Sequence, residues 1–146
     1  MKVLFVCNGN AARSQIAEAL FNDRSSHQAG SAGTAVSQLN VEGQTLGEHA
    51  ADPKAPETPR YVMKLMGDDG LDLSNNVRNQ VTRQMVDDAD VIVAMRGRVP
   101  WPDFLADSEK LVFWDTPDPV HEPMETVQRI KDDLTQRVDA LIKEIG

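Results

Sequence analysis

Four consecutive apolar residues, Val3 to Val6, run without polar alternation straight into Cys7 and then into Asn8, Gly9, Asn10, Ala11 and Ala12. A strand with one face in water alternates apolar and polar side chains. An unbroken run of β-formers this short therefore predicts a strand covered on both faces, as in a parallel sheet. From Ser14 the period changes, because Ile16, Ala17, Leu20 and Phe21 recur at spacings of three and four on one helical face. The chain opens as strand, loop, helix, and Cys7 stands at the first junction.

The same alternation continues. A second short strand is expected at Ala29 to Ala32, followed by a stretch from Thr34 to Pro59 rich in turn-forming and polar residues, and then a helical segment at Tyr61 to Met66. Val91 to Met95 repeats the buried-strand pattern, and Leu111 to Trp114 gives another after a helix or turn around Trp101 to Leu105. Pro53 to Pro59 and Arg96 to Pro102 read as loops, and Asp87, Asp88 and Asp90 as a solvated helix end and turn. The final segment is the clearest helix: Val127, Ile130, Leu134, Val138, Leu141 and Ile145 keep a helical spacing while charges fill the other face. Buried strands alternating with helices predict an α/β three-layer sandwich with a parallel sheet and right-handed crossovers. At 146 residues, with no repeat or low-complexity tract, a single domain over 1–146 is expected.

A formal net charge of -8 argues against non-specific binding to nucleic acid or to an anionic membrane, since both reward clustered Lys and Arg. Any anion must then be held by local dipoles and a few placed cations. One cysteine excludes an intramolecular disulfide and fits a reducing compartment. The apolar run after Lys2 is too short for a signal-peptide core or a membrane span, so a cytoplasmic location is expected.

In open α/β sheets ligands bind beyond the carboxyl ends of the strands, which is where Cys7 falls. Nothing between Cys7 and Arg13 is bulky, so the amides of Asn8, Gly9, Asn10, Ala11, Ala12 and Arg13 are free to form an anion nest. Gly9 and Asn10 tolerate the backbone angles that such a nest requires. The positive end of the helix that follows points at the same place, and the planar guanidinium of Arg13 suits two oxygens of one phosphate. That field favours the thiolate of Cys7, giving an activated nucleophile without a histidine base. Ser14 either donates its hydroxyl to the sulfur or simply caps the helix, and both readings stand at this point.

These residues resemble a known family. Val6 to Leu20, VCNGNAARSQIAEAL, is similar to the signature of the low-molecular-weight protein tyrosine phosphatases and of the arsenate reductases that share their fold. Similarity continues in order at Ser31 to Thr34, Gly70 to Ser74, Gln80 to Thr82, Asp90 to Met95, and Asp118 with Pro119. The resemblance implies a four-stranded parallel sheet of flavodoxin-like topology, a cysteinyl-phosphate intermediate, and neither cofactor nor metal. It assigns nucleophile to Cys7, oxyanion binding to Arg13 and the loop amides, loop support to Asn10, Ser14 and Ser31, and the general acid to Asp118. That acid must be protonated to donate, which a nearby dianion and partial burial favour. Asp115 is the alternative acid, and a plain turn is the alternative reading of the whole segment from Asp115 to Pro119.

The chain also departs from the family pattern. Ala12 stands where the eukaryotic-type phosphatases carry a second cysteine, and Val120 and His121 replace the tyrosines that stack on an aryl substrate. Val36 to Leu39 also lacks an aromatic, so only a weak preference for aryl substrates is expected. Ser14 with Gln15, and Trp114 to Pro119, resemble the reductase branch, but that branch relays oxidation through two further cysteines that this chain lacks. Three readings follow: hydrolysis of a phosphorylated protein or small molecule, arsenate reduction resolved by an external thiol or redoxin, and a non-catalytic phosphate-binding module. His27, His49 and His121 share no ligand spacing and read as loop or surface residues, with tuning of Asp118 by His121 the lesser reading. Trp101 and Trp114 either line the site or pack, with packing the better reading for Trp114.

Overall fold

The computed structural model describes all residues, Met1–Gly146. Its sheet comprises β1 (Lys2–Cys7), β2 (Gln28–Gly33), β3 (Val91–Ala94) and β4 (Leu111–Phe113). The strands lie in the order β2-β1-β3-β4 and every pairing is parallel. Six helices complete the chain: α1 (Arg13–Arg24), α2 (Leu46–Ala51), α3 (Thr58–Asp68), α4 (Arg83–Asp88), α5 (Asp103–Ala106) and α6 (Met124–Ile145). This is the four-stranded α/β sandwich that the sequence predicts. No helix is long and apolar enough to cross a membrane.

The side-chain period of two along β1 divides the core into two layers. Val3, Phe5 and Cys7 face one side, where Ile16, Leu20 and Phe21 of α1 and Val127, Ile130, Leu134 and Val138 of α6 cover them. Leu4 and Val6 face the other side with Ile92, Ala94, Val81, Val86 and Leu105. The chain leaves β1 to pair on one side with β2 and returns to pair on the other with β3. The carboxyl end of β1 is therefore the point where strand order reverses, and Cys7 occupies it.

Several boundaries differ from those expected, for physical reasons. The stretch from Thr34 to Pro59 contains α2, begun by a capping box in which Thr45 and Glu48 bond each other's backbone amides. Only Leu46 of that helix is buried, so no apolar period announces it. The loop expected over Pro53 to Pro59 ends early because Thr58 and Pro59 open α3, where a proline in the first turn costs no hydrogen bond. The fourth strand is shorter than the expected Leu111 to Trp114, and it is not buried: Val112 and Phe113 are 44% and 42% exposed. It is the sheet edge, where an apolar run looks the same in sequence as a central strand. Trp114 packs against Phe5 with ring centroids 5.7 Å apart, and Trp101 packs on Phe113 with centroids 6.0 Å apart.

Candidate functional site

The N-terminal turn of α1 buries Arg13, Ser14 and Gln15, polar residues that a core-facing turn would ordinarily exclude. Each has a hydrogen-bond partner for its side chain. Ser14 Oγ lies 3.0 Å from Cys7 Sγ and accepts from Asn10 Nδ2 at 2.8 Å. The second hydrogen of that amide goes to Ser31 Oγ at 3.0 Å, while Asn10 Oδ1 accepts from the backbone N–H of Asn79 at 2.8 Å. Because a backbone amide can only donate, the orientation of the Asn10 side chain is fixed. With the sulfur ionised, Ser14 must be the donor, since a thiolate only accepts. Asn10 is the loop residue with a left-handed backbone, φ 51°; Gly9 does not need its freedom.

The loop's amides are the other feature. No N–H from Asn8 through Arg13 donates to a backbone carbonyl or a side chain, whereas the adjoining carbonyls of Cys7 and Asn8 accept from Thr34 and Ala35. β2 holds the loop from behind. A Cβ on Gly33 would stand 2.5 Å from Asn8 O and 2.8 Å from Asn10 N, so only glycine permits this approach. Cys7, Asn8, Gly9, Ala11, Ala12 and Arg13 border a pocket of about 190 Å³. Arg13 is 3% exposed and donates from Nη1 to Thr116 O at 2.8 Å and from Nη2 to Arg96 O at 3.1 Å. Free amides, a helix N-terminus and a buried guanidinium around one pocket have the donor pattern of an anion site.

The far wall carries Asp118, whose Oδ1 accepts from Val120 N at 3.0 Å and whose Oδ2 lies 3.9 Å from Arg98 Nη2. Asp115 does not border the pocket; its carbonyl accepts from Arg137. Leu39 from the loop after β2 lines the pocket together with Pro56, Thr58, Pro59 and Val120, and no Phe, Tyr or Trp does.

Sequence reasoning missed Arg78 and misplaced His49. Arg78, from the loop before α4, donates to Gly9 O and lines the pocket. His49 of α2 also lines it; burial, and next the charge of Arg78, lower its proton affinity, against an opposing effect of Asp52. His121 borders a neighbouring cleft with Tyr61 and Glu122, not the pocket of Asp118. No group of three or more His, Cys, Asp or Glu side chains is placed to hold a metal ion.

Glu18 of α1 lies beside Ser31. Burial raises the carboxyl of Glu18 above its ordinary 4.5, and the neighbouring Ser31 hydroxyl opposes the effect. The folded chain thus keeps this proton to higher pH than the unfolded chain. Its contribution to stability is present below about 4.5 and is lost as pH rises through the raised value. Glu18→Gln is expected to raise the thermal midpoint by a few degrees at pH 7 and to leave it unchanged at pH 4. An equal change at both pH values in a melting series would refute this.

A parallel sheet carrying a cysteine at the end of its first strand, in a loop with free amides that closes on an arginine, defines a class of oxyanion-handling cysteine enzymes. The chain belongs to the low molecular weight phosphotyrosine protein phosphatase family, which matches residues 2–100. It is 32% identical over 142 residues to a Halobacterium salinarum protein provisionally named an arsenate reductase, covering 97% of this chain and 91% of that one. The low molecular weight protein tyrosine phosphatase from T. tengcongensis superposes with a TM-score of 0.71 at 27% identity, covering 99% of both chains. Vibrio vulnificus Wzb in complex with benzylphosphonate superposes with a TM-score of 0.77 at 19% identity, covering 98% and 97%, a likeness of fold. The family match ends before Asp118, so that residue's place rests on the pocket geometry.

Proposed function

We propose that this protein hydrolyses phosphate monoesters through a cysteinyl-phosphate intermediate. The observation that carries the reading is the set of acceptor-free amides of Asn8, Gly9, Ala11, Ala12 and Arg13, which border one pocket with Cys7. In the first step the Cys7 thiolate attacks phosphorus while Arg13 and these amides hold the equatorial oxygens. The phosphorus–oxygen bond to the leaving group breaks, and Asp118 gives that oxygen its proton. In the second step water, deprotonated by the Asp118 carboxylate, attacks the cysteinyl-phosphate. Inorganic phosphate leaves, and Ser14 stabilises the departing thiolate through its hydroxyl. No second cysteine is needed, which agrees with the single cysteine of the chain. The pocket wall of Leu39, Pro56, Pro59 and Val120 supports apolar contact without aryl stacking.

The names of several relatives favour a second reading, arsenate reduction. There, the Cys7 thiolate displaces an arsenate oxygen as water, an external thiol attacks the sulfur, arsenite leaves with the electron pair, and a second thiol reduces the mixed disulfide to free Cys7 and an external disulfide.

Hydrolysis of an aryl phosphate in chelator-treated buffer without thiol, set beside arsenite release with and without a dithiol, separates the two. The expected result is metal-independent and thiol-independent phosphate release at turnover of roughly 1 s⁻¹ or more. Arsenite release that requires thiol, with no phosphate release, would replace this proposal by the second reading. Failure of both reactions in folded protein would leave the phosphate-binding module.

A further inference from the structure

Arg78 is a buried cation without a carboxylate. It is 5% exposed, yet the cations that form ion pairs are Arg24, Arg60, Lys64, Arg98, Lys131 and Arg137. Its acceptors are neutral: Nε donates to Gly9 O at 3.0 Å and Nη1 to Gln44 Oε1 at 2.9 Å. Nη2 donates to no protein atom and lies against Gly9, 3.0 Å from where a Cβ would stand. The side chain borders the same pocket as Cys7 and Arg13.

A charge taken out of water needs a compensating charge nearby, and burial is the main influence on this guanidinium. The one charge that opposes burial is that of Cys7. His49 beside it is held toward its neutral form and supplies none. Across the pocket Arg98 faces Asp118 and is itself largely exposed. If Arg13 is matched with an ionised Cys7, a bound dianion is left without a buried counter-charge from the loop, and Arg78 is the buried cation that remains.

We infer that Arg78 is a second anion-holding guanidinium of this site, selecting doubly charged tetrahedral oxyanions over singly charged ones. The inference rests on the reading of the Cys7 loop as an oxyanion site and adds its charge preference. The substrates it favours are phosphate monoester or arsenate dianions, and those it disfavours are diesters and other monoanions. Its bond to Gly9 O also braces the loop.

Protection of Cys7 against alkylation tests this, since Cys7 is the one cysteine and its modification is read directly by mass. The probes are sulfate and perchlorate, tetrahedral anions of charge two and one whose charges do not change between pH 5 and 8. In Arg78→Gln the half-protecting concentration of sulfate is expected to rise about tenfold, that of perchlorate to stay within about twofold, and Arg78→Lys to recover most of the sulfate effect. Equal weakening of both anions, or a Lys variant no better than Gln, would reduce Arg78 to a loop brace and overturn the inference. Unchanged sulfate protection in folded Arg78→Gln would overturn it alone. Absence of protection by either anion in the wild type would overturn the oxyanion-site reading too.

Discussion

Cys7→Ser is expected to abolish phosphate release, with kcat reduced on the order of 10⁴-fold or more, while the fold and anion binding persist. A serine hydroxyl is close in size to the thiol and keeps a polar partner for Ser14, 3.0 Å away in the native pair. It differs in acidity. Arg13, Arg78 and the acceptor-free amides are too weak to ionise an alcohol at neutral pH. No base touches Cys7 to assist, since Ser14 is its hydrogen-bond partner and His49 lies on the pocket wall. Kinetics with an aryl phosphate, with phosphate inhibition as the control for an intact cradle, measures the effect. Residual turnover within about tenfold of the wild type would show that another group performs the attack.

The Cys7 loop is legible in sequence because it is contiguous. Strand, small-residue loop, arginine and helix start all lie between Val3 and Phe21, and each is marked by its own residue pattern. The central strands are legible for the same reason, as covered apolar runs. What escaped the sequence depends on distance or on exposure. Arg78 reaches Gly9 from a loop joined to the site by tertiary packing alone, and nothing in the residues around Val77 and Asn79 marks one arginine as buried. Asn79 likewise supplies the amide that fixes Asn10, a backbone role invisible in a side-chain pattern. Helices α2 and α4 are six residues each, too short for an apolar period, and bury only Leu46 and Val86, although the acidic end of α4 at Asp87 and Asp88 reads as a helix end. The caps at Thr45 and Thr82 are their sequence signals. The exposed strand β4 shows the converse error, an apolar run read as buried although it forms the edge.

Arg13→Lys retains the charge of the loop arginine and is nevertheless expected to lower kcat/KM by about 10³-fold, roughly 4 kcal/mol of transition-state stabilisation. The reason is the number and direction of its donors. Native Arg13 spends Nη1 on Thr116 O and Nη2 on Arg96 O, and its fork still has hydrogens left for an anion. Those two carbonyls belong to the segments that carry Asp118 and Arg98 to the far wall, so one guanidinium ties the cradle to the proposed acid. A lysine has three donors at one point. It cannot reach both carbonyls and two phosphate oxygens with the same geometry. Both consequences act together: the anion loses its planar clamp, and the wall holding Asp118 loses the bonds that set its distance from Cys7, a misplacement to which rates are steeply sensitive. A fall in kcat beyond any rise in KM is therefore expected. A variant in which KM alone rises, with kcat unchanged, would mean that Arg13 supplies charge for binding and nothing to the transition state.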